Sequence, residues 1–589
     1  MLDFVVRGVA AQLRMALKPF RRSSGRAAAF FAHIVSLAAA ESDPTPLAAP
    51  FVSLVVPVFN TPPRYLDDLV ASVRAQKPGA WELILSDDGS TAPETRAWLD
   101  GQASAPDLRI LRNAQNRGIA AATNAGVETA QAPWIGLLDH DDALAPFALE
   151  RIWRALSGAP DCQFLYTDEV VADRRLRPKD FFLKPGFDPV LLSGVNYINH
   201  LSLYRREIVL KLGGLREGYD GSQDYDLVLR YTRTIPAEMC VHLPYPAYVW
   251  RRDGASYSAK FLERATHNAR RALAEAYSAN SARPSVDEAI GGHLHRIRFD
   301  LAKRSWPIVS VIIPNLNSVE LTSRIIGDLI EKTDYPNLEI IVIDNGANHP
   351  NVATLYENLK RGRVPLQVIT RQEPLNFSHI FIGGLAAASG ELVLLLNNDI
   401  EILQPYWLRE MVSCFDYPNV GVVGAKLLYP NRTIQHVGMI VGFGGRARHW
   451  YLQEKENFPG PAGRLWVRQS LTAVAGACFL ISKDAVEQIA RLNNERFANC
   501  FADVDLCMRA REAGLRVVWT PFATLVRRQA IDRIARRTEK EAVGVPQQRS
   551  RTCLRDPADH SMDFAISPWY TLDRPKPEWA RLARLPGAR

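Results

Sequence analysis

The sequence predicts an α/β protein of two tandem domains, each a mostly parallel, Rossmann-like sheet covered by helices. Two observations carry that prediction. The first is that one short script is written twice: residues 52–60 read VSLVVPVFN and residues 309–317 read VSVIIPNLN, 257 positions apart. The first copy is followed by Asp87-Asp88-Gly89-Ser90, Asn116-Arg117-Gly118 and Asp139-His140-Asp141-Asp142, the second by Asp344-Asn345-Gly346, Asn376-Phe377-Ser378 and Asn397-Asn398-Asp399. An offset that stays at 257 or 258 from Val52 to Asp141 marks a duplicated domain rather than a solenoid, whose repeats run roughly 20 to 50 residues. The second observation is that in both copies the polar residues stand at the ends of apolar, strand-like runs.

Taken in order, residues 1–49 are a basic leader and a linker, with Pro44, Pro46 and Pro50 punctuating its end. The first domain covers residues 50–276. Residues 54–58 form an apolar run suited to a buried parallel strand, 65–76 have helical spacing, and 82–86 return to strand before the Asp87-Asp88 turn. Strand, helix and strand in that order make a βαβ unit. Residues 118–130 give the next helix and 134–138 the next strand. Ligands of open α/β sheets sit at the carboxyl ends of strands, where Asn60, Asp87 and Asp139 all fall.

Residues 277–305 are largely polar and read as the linker between domains. The second domain, 306–528, repeats the order as strand 309–313, helix 321–331, strand 338–343, helix 380–388 and strand 392–396. Residues 529–589 are a basic, Pro-containing tail.

Composition narrows the function classes. A chain of 589 residues with 47% hydrophobic and 23% charged content is an ordinary globular protein. The net charge of +8 is uneven, because residues 1–40 carry +5 and residues 527–589 carry +6, which leaves the domains slightly acidic. The basic ends therefore argue for docking to an anionic surface and against a nucleic-acid groove. Seven cysteines without a CxxC make neither a disulfide framework nor a zinc site and fit a reducing cytoplasm. Residues 27–40, interrupted by His33 and Ser36, fall short of the roughly 20 residues that span a bilayer. The leader reads as an amphipathic basic helix at a membrane surface; a plain solvated leader and a signal peptide ending in Ala38-Ala39-Ala40 are the alternatives.

Three carboxylates on neighbouring strand ends need a reason, since packed carboxylates repel unless a cation or proton intervenes. Asp139 and Asp141 place two oxygens toward one hard cation, Mg²⁺ or Mn²⁺, which takes oxygen ligands and bridges to phosphates. The competing reading is that Asp142 caps a helix starting at Ala143-Leu144. Asp87-Asp88-Gly89-Ser90 is also ordinary turn chemistry. Later, Gln223-Asp224-Tyr225-Asp226-Leu227 matches Ala502-Asp503-Val504-Asp505-Leu506, with Arg230 and Arg509 completing the form Asp-x-Asp-Leu-x-x-Arg. Asp226/Arg230 and Asp505/Arg509 fit helix ion pairs. The preceding Asp224 and Asp503 are left as candidate general bases for a hydroxyl.

The series PVFN, DDGS, NRGIAAATNAG, DHDD and QDYDL resembles the family-2 glycosyltransferases of GT-A fold. PNLN, IDNG, NFS, LLLNNDI, VAGACFLIS and ADVDLCMRAREAG resemble the rhamnosyltransferase-like, cell-wall and O-antigen branch of the same family. The resemblance covers roughly residues 50–260 and 306–526. It implies inverting transfer from a nucleotide-diphosphate sugar donor. By it, Pro57, Asn60, Asp87, Asp88, Asn116, Gly118, Asn124, Trp250 and Arg251, with Pro314, Asn317, Asp344, Asn376 and Arg527, line the nucleotide-sugar sites. Asp139 and Asp141, with Asn397 and Asp399, form the metal-binding DxD elements, Asp224 and Asp503 are the bases, and Gly476 and Ala477 lie near the acceptor.

The departures are specific. Where family members often carry a histidine in Tyr-His-Trp-Arg or Leu-Tyr-His-His, this chain reads Tyr248-Val249-Trp250-Arg251 and Leu525-Val526-Arg527-Arg528. The second DxD is Asn397-Asn398-Asp399, and Gly384 is set opposite Asn124. The sequence thus reads as a two-site glycosyltransferase, peripheral on the cytoplasmic face of the inner membrane, extending a lipid-linked or surface glycan. The alternative is one active domain joined to a degenerate, glycan-binding second domain. A dinucleotide oxidoreductase is disfavoured, since neither first strand opens into GxGxxG.

Overall fold

In the computed structural model the chain divides into two compact units, with the boundary between Ile297 and Arg298. The structure describes residues 24–42, 47–77, 79–102, 107–252, 262–278, 284–299, 305–316, 318–345, 350–360, 364–371, 377–443, 446–489 and 502–528. Asn317, Gly346, Asn376, leader residues 1–23 and the tail 529–589 lie outside them.

In the first unit β1 (Val52–Val58), β2 (Trp81–Asp87), β3 (Leu108–Arg112) and β4 (Trp134–Leu137) are parallel, in the spatial order β3-β2-β1-β4. All but Pro57 of β1 are buried, which is why it reads as one apolar run rather than an alternation. The sheet continues through β5 (Ala143–Leu144), β6 (Phe164–Ala172), β7 (Pro178–Phe182), β8 (Ser202–Arg205) and β9 (Cys240–Arg251), as β4-β8-β6-β9-β5 with β7 beside β6. β8 runs antiparallel to both β4 and β6. Pairing of β1 with β4 ends at Val55↔Leu137, while β1 stays with β2 to Val58↔Asp87. The strands part there and open a crevice at their carboxyl ends. Pro57 lies past the split, where a residue without an N–H costs the sheet little.

Two of the sequence expectations meet protein contacts. The helix Ser24–Ala40 packs on β7: Phe30 meets Phe181 edge-on at 4.9 Å, and Ile34 and Ala38 are buried. Arg151 also pairs with Glu41 at 2.9 Å. In the described half of the leader, the apolar face expected to lie on a membrane is covered by the first unit. Within 277–305, β10 (Ser285–Glu288) and β11 (His295–Arg298) form a two-stranded sheet rather than a plain linker. The His295 N–H donates to the Gly194 carbonyl at 3.0 Å, and Leu294 and Ile297 are buried. No helix among the described residues is long and apolar enough to cross a membrane.

The second unit repeats the plan. β12 (Val309–Asn315), β13 (Leu338–Asn345), β14 (Leu366–Arg371) and β15 (Leu392–Leu396) are parallel, ordered β14-β13-β12-β15. Then follow β16 (Ile400–Ile402), β17 (Val420–Leu428), β18 (Ile434–His436), β19 (Met439–Phe443), β20 (Arg446–His449), β21 (Gln469–Ser470), β22 (Cys478–Ser482) and β23 (Arg516–Arg527). The sheet runs on as β15-β22-β17-β23-β16, with β18 beside β17, β21 beside β23, and β19-β20 separate.

The helices Ile119–Thr129 and Phe377–Ala387 lie on the first strand of each unit. A Cβ on Gly126 would come within 2.4 Å of Val55 Cγ1, and one on Gly384 within 2.5 Å of Ile312 Cδ1. Val55 and Ile312 hold equivalent register positions. Gly384 is therefore the counterpart of Gly126, and the residue at the place of Asn124 is Ile382, two positions from the sequence alignment.

Candidate active site

One wall of the first crevice is built around Asp87 and Asp88, both buried. Asp87 Oδ1 accepts the Ser90 N–H at 3.0 Å, which closes the turn. Asp88 accepts the Arg117 N–H at 2.9 Å and the Gly118 N–H at 2.7 Å, as well as Asn113 Nδ2 at 3.2 Å. Asp88 is therefore the anchor of the Asn116-Arg117-Gly118 loop, in which Gly118 takes a φ of 91° that favours glycine. Asn60 accepts the N–H groups of Thr91 and Ala92 at 2.7 and 2.8 Å, joining the end of β1 to the same turn. Asn124 uses its amide on the Leu215 backbone in both directions at 2.8 Å. Asn60, Asp88 and Asn124 shape this wall by holding backbone.

Across the crevice stand Asp139, Asp141 and Asp142. The helix-cap reading of Asp142 is wrong, because Ala143–Leu144 is strand β5, paired with β9. Asp142 is buried, accepting the Arg251 N–H at 2.6 Å and the Tyr248 hydroxyl at 2.7 Å. Burial, and then the charges of Asp139 and Asp141, push its carboxyl well above the usual range. Burial raises Asp141 too, against the opposing effect of His140. The Arg251 guanidinium bonds to Asp68 at 2.9 Å and to the carbonyls of Asp141 and Arg174, and its charge favours the ionised Asp141 carboxylate only weakly against burial. Trp250 is half-buried, with the Arg252 guanidinium 4.8 Å above its ring.

No group of three or more His, Cys, Asp or Glu side chains forms a ready metal-ligand set among the described residues. A cation that takes most of its ligands from a diphosphate and water needs only one or two carboxylates, however. Asp139 and Asp141 fit such an ion, and their mutual repulsion with Asp142 is what it would relieve.

The base candidate lies on the helix Gln223–Thr232, in its first turn. Asn199 Nδ2 donates to Asp224 Oδ2, and Asn196 Nδ2 approaches the same oxygen at 3.5 Å. Burial raises the Asp224 carboxyl above its ordinary value, partly countered by His200. Asn196 Oδ1 and Gln223 Oε1 are buried acceptors with no partner among the described residues. Asp226 is turned away into ion pairs with Arg216 and with Arg230 at 2.9 Å.

Sequence reasoning missed His200. Its Nε2 is 3.3 Å from Asp139 Oδ2, and its ring stacks on Tyr248 with centroids 5.0 Å apart. A histidine does stand at the acidic cluster, but it arrives from the segment before β8. The antiparallel insertion of β8 beside β4 brings it there, and no local pattern announces that pairing.

In the second unit Asp344 is buried and accepts the Tyr356 hydroxyl, and Pro314 is half-buried in β12 as Pro57 is in β1. Asp503 lies in the first turn of the helix Ala502–Glu512 and accepts the Gly476 N–H at 2.8 Å. Burial raises its carboxyl. The Asn397 N–H donates to the Ala477 carbonyl at 3.0 Å, so Gly476 and Ala477 lie between Asp503 and the Asn397 strand end. Asn398 turns toward Asn315 and Thr322, each at 3.4 Å. Asp399 is buried against Arg527, with Oδ2 3.0 Å from Nε.

Each of the two α/β units thus carries an aspartate in the first turn of a helix, Asp224 or Asp503, near strand-end polar residues, and the family match shows the class of protein to be a glycosyltransferase. Residues 53–213 and 310–490 both match the sequence model of glycosyl transferase family 2, and the chain belongs to that family. It is 35% identical over 82% of its length to the uncharacterized protein y4gI of Sinorhizobium fredii, of which it covers 54%. It is likewise 35% identical over 82% of its length to the O-antigen biosynthesis protein RfbC of Myxococcus xanthus, of which it covers 38%. The chain thus spans about half, or less, of the length of these relatives. Among solved structures, the mannosyltransferase PcManGT of Pyrobaculum calidifontis, in complex with GDP-Man and Mn²⁺, is similar over 48% of this chain and 69% of that one, with 17% identity and a TM-score of 0.32.

Proposed function

We propose that the chain transfers sugars from nucleotide-diphosphate donors to a growing cell-surface polysaccharide, inverting the anomeric configuration at the first site. The observation that carries this reading is the placement of Asp224: a carboxylate of raised proton affinity, held by Asn199, whose chain neighbour His200 contacts Asp139. Asp224 takes the proton of an acceptor hydroxyl as its oxygen attacks the anomeric carbon. The bond from that carbon to the diphosphate oxygen breaks on the opposite face, and the nucleoside diphosphate leaves with the bonding pair. A Mg²⁺ or Mn²⁺ ion on Asp139 and Asp141 would neutralise charge growing on that leaving group. Asn196 Oδ1 and Gln223 Oε1 are acceptors for acceptor-sugar hydroxyls.

The O-antigen relative supports a surface glycan as acceptor, as does the chondroitin synthase of Escherichia coli, 26% identical over 32% of this chain. The +4 charge of residues 1–23 and the basic tail fit docking of the chain to the anionic cytoplasmic face of a membrane.

The test is incubation of the full chain with Mn²⁺, a panel of nucleotide sugars and an oligosaccharide acceptor, with the product anomer read by NMR. A product of configuration opposite to the donor is expected. Retained configuration would overturn the single displacement, and the absence of transfer from every donor would overturn the function.

A further inference from the structure

The two units provide an internal comparison, because their registers correspond strand for strand. Leu137 pairs with Val55 and Leu395 with Ile312, which sets Asp139 against Asn397 and Asp141 against Asp399. Trp134 pairs with Arg205 and Leu392 with Ser482, which sets His200 against Ala477. Ala143 pairs with Val249 and Glu401 with Val526, which sets Trp250 against Arg527.

Three exchanges therefore fall in one place. The acidic Asp139 becomes neutral Asn397, His200 becomes Ala477, and uncharged Trp250 becomes cationic Arg527. Of the acidic strand-end run only Asp399 is kept, at the place of Asp141; it already holds the Arg527 guanidinium through Oδ2, and its buried Oδ1 has no partner among the described residues. Arg528, at the place of Arg251, pairs instead with Glu401 at 2.7 Å. These residues do not fit a divalent cation as the first site does: an ion beside Asp399 would be repelled by Arg527, and neither Asn397 nor Ala477 compensates.

We propose that the second site takes the diphosphate of its ligand without a divalent cation, with Arg527 supplying the positive charge and Asp399 holding that guanidinium in place. Bonded to Asp399 through Nε, Arg527 keeps its Nη groups for phosphate oxygens, the planar geometry that suits guanidinium to phosphate. Asp399 Oδ1 is left to accept a ligand hydroxyl. The proposal rests on reading the second unit as a nucleotide-diphosphate site.

The experiment uses the full chain carrying Asp139→Asn and Asp141→Asn, with inorganic pyrophosphate as probe in calorimetry under EDTA. Binding in EDTA is expected, weakened tenfold or more by Arg527→Gln and less by Arg527→Lys. Arg527→Gln alone leaves Asp399 buried and unpaired, so Arg527→Gln with Asp399→Asn is the second variant, and it should show the same loss. Dialysis of the unmodified chain against Mn²⁺ and pyrophosphate should retain one ion per chain, unchanged by Asp399→Asn. Two ions per chain, with one lost in Asp399→Asn, would overturn cation independence. So would pyrophosphate binding that survives Arg527→Gln undiminished. Failure to bind pyrophosphate with or without Mn²⁺ would instead defeat the reading of the second unit as a diphosphate site.

Discussion

Lys184 sets its ammonium 2.6 Å from the Glu169 carboxylate, and neither side chain reaches solvent. The same ammonium donates to the carbonyls of Ile198 and His200 at 2.7 and 2.6 Å, and the His200 N–H donates to Glu169. The pair therefore clamps the segment that carries Asn199 to Asp224 and His200 to Asp139. Removing one partner of a buried pair strands the other charge at a cost of about 3–5 kcal/mol, whereas replacing both is often near neutral. Lys184→Met should lose about that much stability in urea unfolding. Lys184→Met with Glu169→Gln should recover most of it, yet transfer slowly, because the clamp on His200 is gone.

Asp88 makes two charge-assisted bonds to backbone N–H groups of the Asn116-Arg117-Gly118 loop. Asp88→Ala should weaken donor binding about tenfold or more, given roughly 1.5–3 kcal/mol for a hydrogen bond to a charged group. Calorimetric donor affinity is the readout, and kcat at saturating donor should change less.

His200 touches Asp139 from outside the strand that carries it. Side chains that orient metal ligands typically change metal affinity 10–100-fold when removed. His200→Ala should raise the Mn²⁺ concentration for half-maximal transfer by about that factor. Electron paramagnetic resonance of bound Mn²⁺ should report the same weakening without turnover.

The parts of this protein legible in its sequence are those set by local pattern. Buried parallel strands are continuous apolar runs, so β1, β2, β4 and their second-unit counterparts could be read to within two residues. The turn at Asp87 and the duplicated strand ends were equally visible. What could not be read depends on distant pairing. His200 and Asn199 reach the crevice only because β8 inserts antiparallel between β4 and β6. The helix Ser24–Ala40 shows an apolar face, and a sequence cannot say whether lipid or Phe181 covers it. The Asn124/Gly384 alignment failed because the close approach of Gly126 to Val55 and of Gly384 to Ile312 is a packing fact, not a motif.

Asp224 also predicts a pH dependence of stability. Burial raises its folded carboxyl pKa, so its contribution is fully present below the unfolded value near 3.9 and is lost as pH rises through the folded value. Asp224→Asn should therefore gain stability relative to the parent as pH increases from 4 to 8, measured by urea unfolding. A difference that stays constant over that range would contradict the raised pKa. Transfer should move oppositely, falling as pH drops through the same pKa, since the base must be ionised.

The most direct test of the account is Asp224→Asn in the full chain already carrying Asp503→Asn, using a donor whose transfer survives that background. Losing a positioned general base costs about 10²–10⁴-fold in rate. The account predicts a drop in transfer of that size, with the donor dissociation constant changed by no more than about threefold, because the role proposed for Asp224 is toward the acceptor hydroxyl and not the diphosphate. Turnover within a few-fold of the parent, or donor affinity lost in step with rate, would contradict the assignment of Asp224 as the base.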